Sequence, residues 1–145
     1  MIECVCGNGD ALKPHYIFKG KRLQSTWVED DPTGGSYSVT SNGWTDNELA
    51  VEWFDKVFDA QTRRHWDKGL HRLLILDGHG SHVSYTFVNR ARELGIVLLC
   101  LPAHATNILQ PLDVVIFATL STYWTQELDK NLVGGLIMRK QDFCR

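Results

Sequence analysis

The fold of this chain is decided by the stretch RLLILDGHGSH, residues 72–82, in which an apolar run ends at an aspartate. The run from Arg72 to Leu76 does not alternate with polar residues, which is typical of a central strand covered on both faces. Asp77 follows this strand directly, at the end of the strand where open α/β sheets bind their ligands. We therefore interpret Asp77 as a site residue that faces a cleft. The alternative is an Asp-Gly turn, in which the aspartate only shapes the loop.

A second aspartate follows a second apolar run. Residues 96–101 predict another buried strand, and residues 106–113 open a helix that the pattern carries through Trp124. Pro111 is tolerated in the first turn, where amides need no partner, so Asp113 lies at the positive end of the helix dipole. Alternatively, Asp113 only charges that helix end. Brought together, Asp77 and Asp113 would form a site for a hard divalent cation, Mg²⁺ or Mn²⁺.

The remaining patterns predict an α/β domain with a mixed sheet. Residues 2–6 and 14–19 predict an antiparallel hairpin, and residues 20–43 a loop with one short strand. Thr45 and Glu48 have capping-box spacing at the start of a helix, and Ser84–Leu94 predicts another helix that stops at Gly95. The order is hairpin, helix, strand, helix, strand and helix, within a single domain that spans residues 1–145. Five apolar side chains of the first helix are expected in the core: Leu49, Trp53, Phe54, Val57 and Phe58.

Composition excludes several classes of protein. The chain has 145 residues, 43% of them hydrophobic, and a net charge of −2, so it is not a polyanion binder as a whole. No stretch resembles a secretory signal or is long enough to span a bilayer, so no membrane partner is expected. The four cysteines fit neither a zinc pattern nor a disulfide framework, and we expect reduced, mostly buried thiols in an intracellular protein. They are Cys4, Cys6, Cys100 and Cys144.

Polar residues near the two aspartates suggest supporting roles. His79 and His82 follow Asp77, and a zinc site made of these two histidines and His104 is a weaker alternative, because glycines at 78 and 80 indicate a loop rather than a helix. We expect these histidines to hydrogen-bond around the carboxylates and orient them. A Ser-His-Asp hydrolase built on Ser81 fails, because the nucleophile-elbow motif is absent.

Two basic clusters could contact a phosphate backbone, although a solvated surface is the alternative for each. They are Lys19, Lys21 and Arg22, and further along Arg63 and Arg64.

Two segments carry a family resemblance. LDGHGSH at residues 76–82, followed by LPAHATNILQPLD at residues 101–113, resembles the DDE superfamily endonuclease domain of pogo/Tigger-type transposases in the mariner group. IECVC at residues 2–6 through IFKGK at 17–21 is similar to the early hairpin of that family, and SNGWTD at 41–46 to its next signature. The resemblance covers nearly the whole chain, and it implies an RNase H-like fold, DNA as partner and a nuclear location.

The resemblance also implies a mechanism: three acids hold two metal ions for phosphodiester cleavage and strand transfer, consistent with two-metal chemistry. Asp77 would be the second acid and Asp113 the third, with His79, Ser81, His82, His104 and Gln110 around them.

The strand that carries the first acid in the family is not matched here, because this chain starts at the hairpin. We therefore expect a partial domain, truncated at both ends, that is inactive alone and prone to aggregate. The alternative is a domesticated DNA-binding or protein-interaction module without catalysis. Whether the chain forms a homo-oligomer stays open.

Overall fold

The computed structural model describes residues 1–63, 70–78, 80, 83–102 and 105–143. It contains four strands: β1 His15–Lys19, β2 Ser36–Thr40, β3 Arg72–Leu76 and β4 Ile96–Cys100. The first long helix consists of α1 Asn47–Trp53, a π-helical segment Phe54–Asp59 and α2 Ala60–Thr62 in direct succession. Two separate helices follow, α3 Tyr85–Glu93 and α4 Thr106–Leu109. The last long helix begins with a π-helical segment Leu112–Ile116 and continues as α5 Phe117–Val133. Short 3₁₀ helices span Ser25–Trp27 and Lys140–Phe143.

The strands form two separate parallel pairs. In the first, β1 pairs with β2 from His15–Ser36 to Lys19–Thr40. In the second, β3 pairs with β4, with Leu76 opposite Cys100. Helix α3 connects β3 to β4, as parallel neighbours require. The predicted α/β class is therefore observed. The prediction of one mixed sheet is wrong for the described residues, because the antiparallel pairing that it required is reduced to isolated bridges.

The predicted amino-terminal hairpin is present in reduced form. Antiparallel bridges join Ile2 to His15 and Val5 to Ala11, around a turn at residues 7–10. Beyond His15, however, the chain pairs in parallel with β2, which lies in the segment predicted mainly as loop. The residues predicted as a return strand therefore pair with two segments: antiparallel with the amino-terminal segment and parallel with β2.

Helix boundaries follow local capping chemistry. The carboxylate of Asp46 accepts a hydrogen bond from the Leu49 amide at 2.8 Å, so the cap of α1 is Asp46 and not Thr45 as predicted. Aspartate is as good a cap as threonine, and the extended backbone of Asp46 aims its carboxylate at the first turn. Ser84, predicted as the first residue of a helix, is instead the cap of α3, because its hydroxyl accepts a hydrogen bond from the Phe87 amide. The last helix runs to Val133 rather than Trp124, because the first stop signal is the Gly134-Gly135 pair.

One hydrophobic core joins the long helix to β3 and α3. All five apolar side chains predicted from the first helix are buried. The rings of Phe54 and Phe87 are fully buried with centroids 4.8 Å apart, and Phe58 stacks on Phe54 at 5.4 Å. Leu74 and Leu76 of β3 complete this cluster. Helices therefore cover one face of the β3–β4 sheet.

The opposite face of that sheet is open in the described part of the chain. Leu73 and Ile75 are 57% and 52% exposed, and Val97 and Leu99 of β4 are each 49% exposed. Burial alternates along β3 because its helical cover lies on one side only. The prediction of a strand covered on both faces is therefore wrong here.

An ion pair fixes the start of β3. Asp59, buried at the end of the π-helical segment, accepts a hydrogen bond from Arg72 Nη2 at 2.6 Å. Arg72 also donates to Thr62 Oγ1 at 3.0 Å and to the Leu94 carbonyl at 3.1 Å. A single side chain therefore links three elements around the strand that leads to Asp77.

The described cysteines are free thiols. Cys4 and Cys6 are half-buried and Cys100 is exposed, so the expectation of mostly buried thiols is wrong for Cys100; Cys144 lies outside the described residues. Burial, more than the charges of Cys6 and Glu3, raises the pKa of Cys4 to about 11.

Candidate functional site

Asp77 lies where the sequence placed it, directly after β3 and half-buried. The Leu101 amide donates to the Leu76 carbonyl at 2.8 Å, so the chain leaving β4 starts beside Asp77. A side chain at Gly78 would meet Cys100 Sγ at 3.6 Å. Close passage of the two strand ends therefore sets the position of Asp77 at the carboxyl edge of the β3–β4 sheet.

Asp113 lies, as predicted, in the first turn of a helix: the π-helical segment Leu112–Ile116 that leads into α5. Pro111 has helical dihedral angles, and the Asp113 amide donates to the Gln110 carbonyl at 3.1 Å. The Asp113 side chain is exposed. The carboxylate of Asp113 is therefore open to solvent at the start of the π-helical segment.

Gln110 has a buried side-chain oxygen that accepts no hydrogen bond from the described residues. Its Oε1 atom is buried and has no hydrogen-bond donor within the part of the chain that the structure describes. A buried acceptor without a donor is rare, and it points to a group outside the protein chain, such as water or a ligand. The sequence predicts a supporting role for Gln110 beside the carboxylates, and an acceptor without a donor is compatible with that role.

The atom types that Asp77 and Asp113 offer are those that a hard divalent cation prefers. Two carboxylates supply oxygen ligands, and Mg²⁺ is commonly held by one or two carboxylates together with water. Over the described ranges, however, no group of three or more histidine, cysteine or acidic side chains is arranged to hold a metal ion. Asp77 and Asp113 are the residues that would supply the carboxylate ligands.

Several predicted site residues lie outside the described residues. They are His79, Ser81, His82 and His104 beside the aspartates, and Arg64 of the second basic cluster. The weaker zinc and hydrolase interpretations rest on the same residues.

The two predicted basic clusters differ in the structure. Lys19, Lys21 and Arg22 are exposed at the end of β1 and in the loop that follows. Arg63 is also exposed, but it donates to Asp59, so part of its charge is neutralised within the protein. In the described part of the second cluster, Arg63 is therefore paired, whereas Lys19, Lys21 and Arg22 take part in none of the ion pairs among the described residues.

Sequence reasoning missed one cation. Lys140 donates from Nζ to the Lys19 carbonyl, 121 residues away. Its Nζ also lies 4.2 Å from the centre of the Trp27 ring. No local pattern announces such a contact, because it depends on where the segment after α5 packs.

The fold defines an α/β domain with Asp77 at the carboxyl edge of two parallel strands, and comparison with known proteins gives its family. The model of the DDE superfamily endonuclease family matches residues 1–141. This chain therefore belongs to the DDE superfamily endonuclease family.

Individual relatives agree with this assignment. Over 132 residues the chain is 24% identical to the human Pogo transposable element with KRAB domain, covering 90% of this chain and 21% of that protein. It is 22% identical over 123 residues to the human Pogo transposable element with ZNF domain, covering 85% of this chain and 8% of that protein. The resemblance to pogo-type transposases is thus confirmed.

A third relative has a different kind of name. The chain is 36% identical over 133 residues to the MFS-type transporter clz9 of Cochliobolus lunatus, covering 89% of this chain and 14% of that protein. Among the described residues, no helix has the length and apolar character needed to cross a membrane. The chain spans between 8% and 21% of the length of these relatives. No solved structure matches the chain.

Proposed function

We propose that this domain binds DNA and contributes Asp77 and Asp113 to a divalent-metal site for phosphodiester cleavage and strand transfer. The observation that carries the proposal is the placement of Asp77 after a strand that pairs in parallel with the strand leading to Asp113. The match to the DDE superfamily endonuclease family over residues 1–141 supports the same assignment. The proposal includes an RNase H-like arrangement and a nuclear location, where genomic DNA would be the substrate.

Each carboxylate would act through its backbone position. Asp77 would hold a metal ion from the carboxyl end of β3, the strand whose opposite end is fixed by the ion pair of Arg72 with Asp59. Asp113 would approach from the first turn of the helical segment that begins at Leu112. Gln110 Oε1 would accept a hydrogen bond from water near the ion. A bound divalent ion supplies stabilisation of the attacking and leaving oxygens of a phosphodiester.

The number of ligands limits what this chain does alone. Because the described residues bring no third ligand to these carboxylates, we propose that the isolated chain binds metal weakly and does not nick DNA. Mn²⁺-dependent nicking of plasmid DNA that Asp77→Ala abolishes would overturn this part of the proposal.

Metal binding tests the site directly. We expect Mn²⁺ titrations followed by electron paramagnetic resonance to show at least about tenfold weaker binding for Asp77→Asn and for Asp113→Asn, since a lost ligand has a larger effect than a lost supporting contact. Asp129→Asn is the matched control, because Asp129 is an exposed acid further along the helix that carries Asp113. Equal Mn²⁺ affinity in all three variants would refute the site.

A second function is favoured by one observation. The absence of a three-ligand group in the described residues also fits a domesticated DNA-binding or protein-interaction module without catalysis. Such a module binds DNA equally well in the presence of a chelator and in the presence of Mn²⁺. Tighter DNA binding in Mn²⁺, lost in Asp77→Asn, would exclude it.

A further inference from the structure

Four cations from two distant parts of the chain meet at the end of β1. Lys19 ends the strand, Lys21 and Arg22 follow in the loop, and Lys140 arrives from the 3₁₀ helix after α5. We call these four residues the basic patch. All four are exposed.

Two contacts hold Lys140 in this patch. Its ammonium donates to the Lys19 carbonyl and lies over the face of Trp27 at 4.2 Å from the ring centre. Trp27 in turn packs against Phe18 of β1, with ring centroids 5.4 Å apart. An ammonium has three N–H donors, so Lys140 keeps donors for a further acceptor after this contact. Its position is therefore fixed while its hydrogen-bonding capacity is not exhausted.

The charges of the basic patch are not neutralised by the protein. Among the described residues, every ion pair involves other cations, and none contains Lys19, Lys21, Arg22 or Lys140. Two exposed lysines elsewhere differ in this respect, since Lys56 pairs with Glu52 at 2.7 Å and Lys130 with Glu127 at 3.2 Å. Lys13, by contrast, takes part in none of the ion pairs among the described residues. Because the chain has a net charge of −2, a local group of four unpaired cations stands out against its surroundings.

We propose that the basic patch binds the phosphate backbone of duplex DNA, and that docking of Lys140 on Trp27 and Lys19 completes it. The inference rests on the proposed function, since it assigns a DNA-contacting surface to the same domain. Clustered, unpaired cations recognise a polyanion through release of its condensed counterions, without reading sequence. The patch would position DNA on the domain independently of the metal ligands.

The salt dependence of DNA binding tests this surface. A fluorescein-labelled duplex of about 30 base pairs is titrated with the whole chain in chelator, with anisotropy read at several salt concentrations from about 50 to about 300 mM. Lys140→Ala and Lys21→Ala should each weaken binding roughly 5- to 10-fold at about 100 mM salt and make the slope of log K against log salt about 0.9 less steep. Lys140→Arg keeps the charge and should stay within about twofold of the parent chain.

Lys56→Ala and Lys130→Ala are matched controls, because each removes one exposed positive charge outside the basic patch. They should leave the slope unchanged. If Lys140→Ala does not differ from these controls while remaining folded by circular dichroism, the inference is refuted. If Lys140→Ala unfolds, Lys21→Ala decides by the same criterion, since none of the hydrogen bonds or ion pairs of the described residues joins Lys21 to the carboxyl-terminal segment.

Two further outcomes separate this inference from the proposed function. Failure of the parent chain to bind the duplex, or preferential binding to vesicles containing anionic lipid, would overturn the basic patch as a DNA surface. The metal site is then judged by the Mn²⁺ titration alone, which involves no DNA. Conversely, DNA binding that depends on the basic patch, together with unchanged Mn²⁺ affinity in Asp77→Asn, would support the patch and refute the metal site.

Discussion

Replacing Asp59 by asparagine should destabilise the fold far more than the same change at Asp55 in the same π-helical segment. Asp59 is 3% exposed, and the Arg72 side chain is 11% exposed. Asp59→Asn leaves this buried cation without its negative partner, an effect of about 3–5 kcal/mol for buried pairs. Because Arg72 keeps neutral acceptors at Thr62 and Leu94, we expect the lower end, about 3 kcal/mol.

Asp55 provides the matched control. It pairs with Arg90 at 2.7 Å, but the two side chains are 36% and 37% exposed, so water screens the pair. Asp55→Asn should change the free energy of unfolding by no more than about 1 kcal/mol. Urea denaturation followed by circular dichroism measures both variants. With a slope of about 2 kcal/mol per molar urea, Asp59→Asn lowers the midpoint by about 1.5 M and Asp55→Asn by less than about 0.5 M.

The pH dependence gives an independent check. Burial opposes ionisation of Asp59, but hydrogen bonds from Arg72 and Arg63 outweigh it and lower the pKa of this carboxyl. A lowered pKa contributes stability above the unfolded pKa of about 3.9, and this contribution is lost as pH falls toward the folded pKa. The difference between the parent chain and Asp59→Asn should therefore shrink below pH ~4. Equal urea midpoints for Asp59→Asn and Asp55→Asn at neutral pH would refute the reasoning.

Two further variants test local chemistry. Asp46→Ala should lower the free energy of unfolding by about 1 kcal/mol in urea titrations because it removes the cap of α1, whereas Thr45→Ala should have almost no effect; the reverse order would restore threonine as the cap. Burial opposes ionisation of Asp31, but hydrogen bonds from Tyr37, Thr33 and the Gly35 amide lower its pKa to about 2. Asp31→Asn should therefore cost roughly 1–2 kcal/mol at pH ~7. Thermal melts should show this difference shrinking as the pH falls from ~4 to ~2, where about half of the parent carboxylates have lost their charge; a difference at pH ~2 as large as at pH ~7 would contradict this account.

The secondary-structure elements beside the metal-site proposal were predictable because their signals are local. The apolar run before Asp77 and the helical pattern that ends at Gly95 depend on a few neighbouring residues, and the strand and the helix that they predict were confirmed with small shifts. The cap of α1 moved from Thr45 to Asp46 because two good caps are adjacent, and only the backbone conformation chooses between them. The family was also readable, since LDGHGSH and QPLD lie in fixed order.

By itself, the sequence determined the class of the fold, the buried stripe of the first helix, and the positions of Asp77 after a strand and Asp113 at a helix start. Tertiary structure alone decided the direction of strand pairing, the single covered face of β3, and the two long-range contacts of Asp59 with Arg72 and Lys140 with Trp27. The physical reason is that side-chain periodicity reports which face of an element is apolar, but not what covers it. Pairing and docking depend on the relative position of segments far apart in the chain, and no local pattern records that position.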